Sequence, residues 1–306
     1  MTMLPGLRLL LPTTALFLAP CEALPQALLV LPSAEETDLP VFNERFIARN
    51  GIASIVGERL VKRDGEPMRT ERERLLFRFD DAGRLIYSNN SYGQPGTGRD
   101  TASIAYEHDA DGRVVRRLRN DLGGHFAYVV NHDAEGRVVR ETYQRIENLG
   151  SNRYELVPGA IIEVSDEHFR HARLNDSTER KSYLNNLDLP YRDQLFTSDR
   201  RGYLLSIEDL YLVSNRRGRI TFRYDEQGRL AERTEQPDLA QARVTRRLWR
   251  YDPAGNVIEG EYWLNDKQVS RDEYLYEEGT MLPKARLRKD MSSGNIHVLK
   301  FVTTRR

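Results

Sequence analysis

One short phrase recurs along this chain, and the phrase is a turn. It reads FRFDDAGRL at 77–85, YEHDADGRV at 106–114, VNHDAEGRV at 130–138, FRYDEQGRL at 222–230 and WRYDPAGNV at 249–257. A weaker copy, LYEEGTML, spans 275–282, and FTSDRRGYL at 196–204 is degenerate. The Asp accepts backbone N–H bonds, the next two residues take right-handed turn geometry, and the Gly supplies a positive φ that a Cβ would penalise. A type I turn closed by a left-handed Gly makes a three-residue hairpin loop with a bulge. The pairs Asp80 and Gly83, Asp109 and Gly112, Asp133 and Gly136, Asp225 and Gly228, and Asp252 and Gly255 are each expected to join two antiparallel strands.

The flanks carry the matching period. Phe77 and Phe79, Ile104 and Tyr106, Phe222 and Tyr224, and Trp249 and Tyr251 recur at spacing two, which is strand periodicity. The turn glycines are 29 and 24 residues apart in the first block and 27 and 24 in the second. One such step holds two strands of roughly eight to ten residues and two turns. The expected fold is all-β, an antiparallel meander of repeated hairpins that can curl, with a short helix near the N-terminus; the repeat does not decide whether the sheet is open or closed.

FRYDEQGRL and FRFDDAGRL resemble the YD repeat, also called the rearrangement-hotspot (RHS) repeat, whose core is Tyr-Asp-x-x-Gly-Arg-Leu. Full Tyr-Asp occurs at Tyr224–Asp225 and Tyr251–Asp252, while Phe79, His108 and His132 replace the Tyr elsewhere. The resemblance covers roughly 70–145 and 196–285, and it implies a repeated β-sheet. In large toxin members of that family many more repeats form a shell around a toxic domain. This chain has too few copies for that, so the toxin role is not carried over.

Hydrophobic residues make up 39% and charged residues 30%, so the strands suit a sheet with at least one solvated face. Lys+Arg and Asp+Glu both number 46, which leaves no electrostatic case for a nucleic-acid partner. At the N-terminus, Arg8 precedes an apolar run from Leu9 to Ala19, with small residues suited to cleavage after Ala23. Residues 1–34 thus read as a leader, and the mature protein as exported to the periplasm or outer membrane. The sequence Leu18-Ala19-Pro20-Cys21 offers the alternative of a lipid anchor at Cys21. Prolines at 5, 12, 20, 25 and 32 argue against a transmembrane span there.

Residues 35–306 read as a single domain. Its repeats lie at about 51–145 and 196–285, around an irregular insert at 146–195. Residues 35–50, with Leu39, Phe42, Phe46 and Ile47, suit a short capping helix. A first hairpin is expected to turn at Asp64-Gly65, and within the insert AIIEVS and HFRHARL have strand character.

Several side chains invite a chemical reading. His108 and His132 occupy equivalent repeat positions and could face each other on neighbouring hairpins, but two ligands without a third make a weak metal site, and the favoured reading is that His stands there for the repeat aromatic. His168 and His171 would share a face on a helix, whereas on a strand their spacing puts them on opposite faces. No nucleophile elbow, metalloprotease motif or phosphate loop is present, and the repeated Asp residues are turn formers. No catalysis, cofactor or metal is expected. Tyr262, Trp263, Tyr274 and Tyr276 cluster in the final repeat pair as candidate partner-binding residues. Alternation puts Tyr274 and Tyr276 on one face and separates Tyr262 from Trp263.

The expected function is that of an exported, non-catalytic binding or scaffold protein of the bacterial envelope. It would hold a protein or glycan through its sheet surface. Two alternatives are an immunity protein against a secreted toxin and an envelope glycan hydrolase with a site in the 146–195 insert.

Overall fold

The computed structural model describes residues 29–31, 40–92, 102–121, 123–152 and 155–306. Most of the leader, with Cys21, and Leu39 of the expected helix lie outside the described residues. Strands β1 (Leu29–Val30) and β2 (Val41–Phe42) form a small ribbon, followed by α1 (Glu44–Arg49). The helix is shorter than the expected 35–50, because Asn43 caps it through a bond from the Phe46 N–H and Phe42 is already strand. Phe46 and Ile47 are its buried residues.

Among the described residues, eighteen strands follow in chain order. The first block holds β3 (Ile52–Lys62), β4 (Arg69–Phe79), β5 (Leu85–Tyr92), β6 (Ala102–His108), β7 (Val114–Asp121), β8 (Gly124–His132) and β9 (Val138–Asn148). The middle holds β10 (Pro158–Arg173), β11 (Thr178–Leu184), β12 (Pro190–Ser198) and β13 (Leu204–Tyr211). The last block holds β14 (Arg217–Tyr224), β15 (Leu230–Gln236), β16 (Thr245–Tyr251), β17 (Val257–Leu264), β18 (Lys267–Tyr276), β19 (Pro283–Asp290) and β20 (Ile296–Arg305).

Each strand pairs antiparallel with the next, and β20 pairs with β3, so the meander closes into a barrel. The meander is as expected, and the question the repeat left open is settled as a closed barrel and not an open or merely curled sheet. The closing ladder runs from Ile296↔Lys62 to Arg305↔Ile52 and bonds two edges that an open sheet would leave bare. The insert belongs to the same barrel. AIIEVS and HFRHARL form one strand, β10, bent by a register shift between Glu163 and Ser165.

The turns have the expected geometry, with Gly83, Gly112, Gly136, Gly228 and Gly255 at φ between 77° and 90°. The residue after each Gly, Arg in four turns and Asn in the fifth, has a clear role. The Asp225 carboxylate accepts the Arg229 N–H at 2.9 Å and its Nε–H at 2.7 Å. Asp80 with Arg84, Asp109 with Arg113 and Asp133 with Arg137 repeat this grip. Asp252 grips Asn256 in the same way. Neighbouring turns are also tied together, since Arg229 Nη1 donates to the Asp252 carbonyl at 3.0 Å.

Strand alternation gives the wall two faces. The inner positions at the Asp-turn end are apolar. Ile55, Leu75, Phe77, Phe79, Leu282 and Phe301 pack with Phe46 and Ile47 of α1. Phe42 meets Phe77 and Phe79 edge-on at 5.0 and 5.5 Å. Leu31, beside β1, packs on Ile207, Phe222 and Leu230, half-way round the ring from β4. The ribbon therefore spans the barrel at this end. On β14 the outer face is charged: Arg217, Arg219 and Arg223 are exposed while Gly218 and Phe222 of the inner face are buried. A lipid-facing barrel wall carries an apolar band at those positions, which this strand lacks. Among the described residues no helix is long and apolar enough to cross a membrane.

Candidate binding surface on the inner wall

Beyond the apolar end, the inner positions change to Arg, Tyr and acids. On β7 to β9, Phe126 stacks on Tyr143 at 5.5 Å, and Tyr143 on Tyr128 at 4.6 Å. The Arg119 guanidinium lies over all three rings, 4.9 to 5.9 Å from their centroids. It also donates to the Tyr143 hydroxyl at 3.2 Å. Beside it, Arg117 pairs with Glu141 at 2.9 Å and covers the Tyr128 ring. Burial pushes the Tyr143 hydroxyl up, against the opposing charge of Arg119.

A second cluster lies on β10 to β13. Arg192 is held by Asp209 at 2.6 Å and lies over Tyr183 and Tyr211. Lys181 sits 3.9 Å from the Phe169 ring centroid. Burial pushes Tyr183 up to about 12, so its hydroxyl remains a donor, and it bonds Gln194 at 2.6 Å. Burial, with a bond to Glu167, likewise raises Tyr191.

Further round, Asp272 takes Arg288 at 2.9 Å and Arg286 at 3.5 Å. A cavity of about 350 Å³ opens near this group, lined by Arg59, Glu71, Leu75, Arg288, His297 and Leu299. Another, of about 700 Å³, opens at the Asp-turn end among Arg173, Asp176, Glu179, Phe196, Asp199 and Arg200. Such a wall offers ring faces together with forked donors and carboxylates. Those are the groups that recognise a polyhydroxylated ring.

The four aromatics singled out from the sequence do not form one row. Tyr262 is on the inner wall under Arg247, 4.9 Å from its ring centroid. Trp263 is on the outer face, where its Nε1–H donates to Glu261 at 2.8 Å and Arg246 covers the ring. Tyr274 and Tyr276 share a face with buried Ser270 and Asp272, and the Tyr276 hydroxyl donates to the Val257 carbonyl at 2.8 Å. His108 and His132 end β6 and β8, with β7 between them. His168 and His171 lie on opposite faces of β10. His168 meets Asp188 at 3.0 Å and Asp166 at 3.2 Å, and the Asp188 bond, against partial burial, raises its pKa. His171 Nε2 donates to the Val138 carbonyl at 2.8 Å. Among the described residues no group of three or more His, Cys, Asp or Glu is placed to hold a metal.

Sequence reasoning missed Arg117, Arg119, Tyr143, Tyr183 and Arg192. The signal was present as Arg and Tyr at spacing two, but the same pattern describes a solvated strand face. Nothing in one strand says which face closes inward.

No known family model matches the chain, and no curated protein matches it. Among solved structures, a porin-like protein from Bacteroides uniformis is 10% identical, with 83% of this chain and 97% of that one covered and a TM-score of 0.36. A porin-like protein from Bacteroides vulgatus is 10% identical over 83% and 98%, at a TM-score of 0.34. A LolA superfamily protein from Nitrosomonas europaea is 11% identical over 86% and 90%, at 0.21. Likenesses this distant carry no functional argument.

Proposed function

We propose that the protein is an exported, non-catalytic binding protein of the bacterial envelope that holds a glycan against its inner wall. The observation behind this reading is the group at β7 to β9, where Arg119 lies on the stacked rings of Phe126, Tyr143 and Tyr128 beside Glu141. A sugar offers C–H faces to such rings and hydroxyl pairs to the carboxylate and guanidinium edges. The leader supports export, and the YD-like turn phrases support a structural role for the repeated Asp residues. Tyr262, Tyr274 and Tyr276 extend the same wall, while Trp263 belongs to the outer face.

Calorimetric titration of the mature chain with muropeptides and with lipopolysaccharide core oligosaccharides tests the reading. Saturable binding is expected with at least one of them, with no turnover of the sugar. Tyr143→Ala is expected to weaken it about tenfold or more, as a buried aromatic anchor does, with circular dichroism unchanged. No binding at millimolar sugar, or hydrolysis of it, overturns the proposal.

A further inference from the structure

The arginines of the inner wall are not all matched alike. Arg117, Arg119, Arg192 and Arg233 each have a carboxylate of their own, from Glu141, Asp121, Asp209 and Glu235. On β18 and β19 the ratio changes. Asp272, 7% exposed, holds both Arg288, at 2.9 and 3.1 Å, and Arg286, at 3.5 Å. One carboxylate under two guanidinium groups leaves a positive charge. Arg59 on β3 adds another, and among the described residues it has no ion-pair partner.

Register brings these groups together. Arg288 is the partner of His297, and Leu299 lies between Arg286 and Arg59. Arg286 and Arg59 are therefore two strand spacings apart, about 9.5 Å, and their long side chains straddle Leu299. The cavity of about 350 Å³ lies among them. Its floor is apolar, with Leu75 buried and Leu299 partly buried. Glu71, the acid of its lining, is exposed and forms no ion pair among the described residues. An apolar floor lowers the local dielectric and strengthens the field of the cations above it.

We propose that this cavity is an anion site that takes a phosphate group. Three guanidinium groups and an imidazole reach it from β19, β20 and β3. A phosphate offers at least three terminal oxygens to such donors, whereas a carboxylate offers two in one plane. The cavity is larger than a phosphate and leaves room for a sugar that carries one. The site belongs to β3, β4, β19 and β20, apart from the stacked rings of β7 to β9, and needs no sugar to be occupied.

Calorimetric titration of the full mature chain at low ionic strength, where screening is weak, tests this with inorganic phosphate, glucose-6-phosphate and acetate. The two phosphate probes are expected to bind saturably and acetate is not. Tighter binding of glucose-6-phosphate makes the ligand a phosphorylated sugar, and equal or weaker binding makes it free phosphate; either supports the site. Arg59→Gln is expected to weaken both about tenfold or more, the loss of one charge-assisted bond. Its far-UV circular dichroism and melting temperature should match the parent, because among the described residues Arg59 bonds no other side chain. Arg219→Gln, on the outer face of β14, is expected to leave the affinity unchanged. No saturation at millimolar phosphate overturns the site, as does acetate bound as tightly. So does an Arg59→Gln affinity equal to the parent's, or an equal loss in Arg219→Gln. Inorganic phosphate carries no sugar, so a failed glycan titration leaves these outcomes untouched.

Discussion

The hydroxyl of Tyr251 donates to the main-chain carbonyl of Leu230 at 2.6 Å, one hairpin back along the chain. Tyr224 makes the same bond to Leu204 at 2.9 Å, and Tyr276 to Val257 at 2.8 Å. Each bond ties the residue before one turn to the start of the return strand after the previous turn. That is a physical reason for Tyr at this repeat position. Burial pushes the Tyr251 hydroxyl up, so it stays a donor throughout the neutral range. Tyr251→Phe is expected to cost about 1 kcal/mol, the net worth of one such bond, read as a lower urea midpoint at constant slope. An unchanged midpoint would contradict the latch.

Phe79 fills the equivalent position in the first repeat, where Phe42 packs on it. The turn beside it is where α1 seats. A Cβ on Gly83 would lie 2.0 Å from the Glu44 carbonyl oxygen, whereas one on Gly255 meets nothing within 4 Å. Gly255→Ala is therefore expected to cost only the left-handed penalty, about 1–2 kcal/mol. Gly83→Ala should cost clearly more, because α1 must also move off the turn. Thermal melts of the two variants check this, and equal losses would mean that α1 does not sit on that turn.

The turn carboxylates make stability depend on acid. The Arg113 N–H, aided by its guanidinium and opposed by burial, holds Asp109 below the usual carboxylate range. At Asp80, Asp133 and Asp225 burial pushes the carboxyl up, and the bonds from Arg84, Arg137 and Arg229 more than reverse it. A carboxyl depressed by folding stabilises fully above its unfolded pKa of about 3.9 and loses that contribution as pH falls through the folded value. The melting temperature is expected to hold from neutral pH to about pH 5 and to drop below about pH 4. Asp225→Asn should make that drop shallower; an identical acid limb would remove the turns from the cause.

The hairpins were legible because Asp, Gly and Arg act within five residues of each other. Asp225 forms the turn, Gly228 takes the positive φ, and Arg229 returns to the carboxylate. Closure was not legible. Its ladder joins IASIVGERLVK to IHVLKFVTTR, segments outside the repeat phrase at opposite ends of the domain. Alternation correctly separates Tyr262 from Trp263 and groups Tyr274 with Tyr276. Which face of a charged strand points inward depends on closure, so the Arg119 cluster could not be told from a solvated surface. AIIEVS and HFRHARL each have strand character in the sequence, and their union in one strand depends on a bulge in β10 that the sequence does not mark.

Closure of the barrel creates the inner wall, and a disulfide across the seam tests it most directly. Leu60 and Val298 are register partners on β3 and β20. Directly opposed residues of an antiparallel pair have Cβ atoms about 4.5–5.5 Å apart, close enough to bridge with little adjustment. In a chain with Cys21→Ser, the double substitution Leu60→Cys and Val298→Cys is expected to oxidise to an intramolecular disulfide. It should migrate faster on a non-reducing gel and melt higher than its reduced form. Two free thiols under oxidising conditions, in a chain that retains its strand content, would contradict the closed barrel.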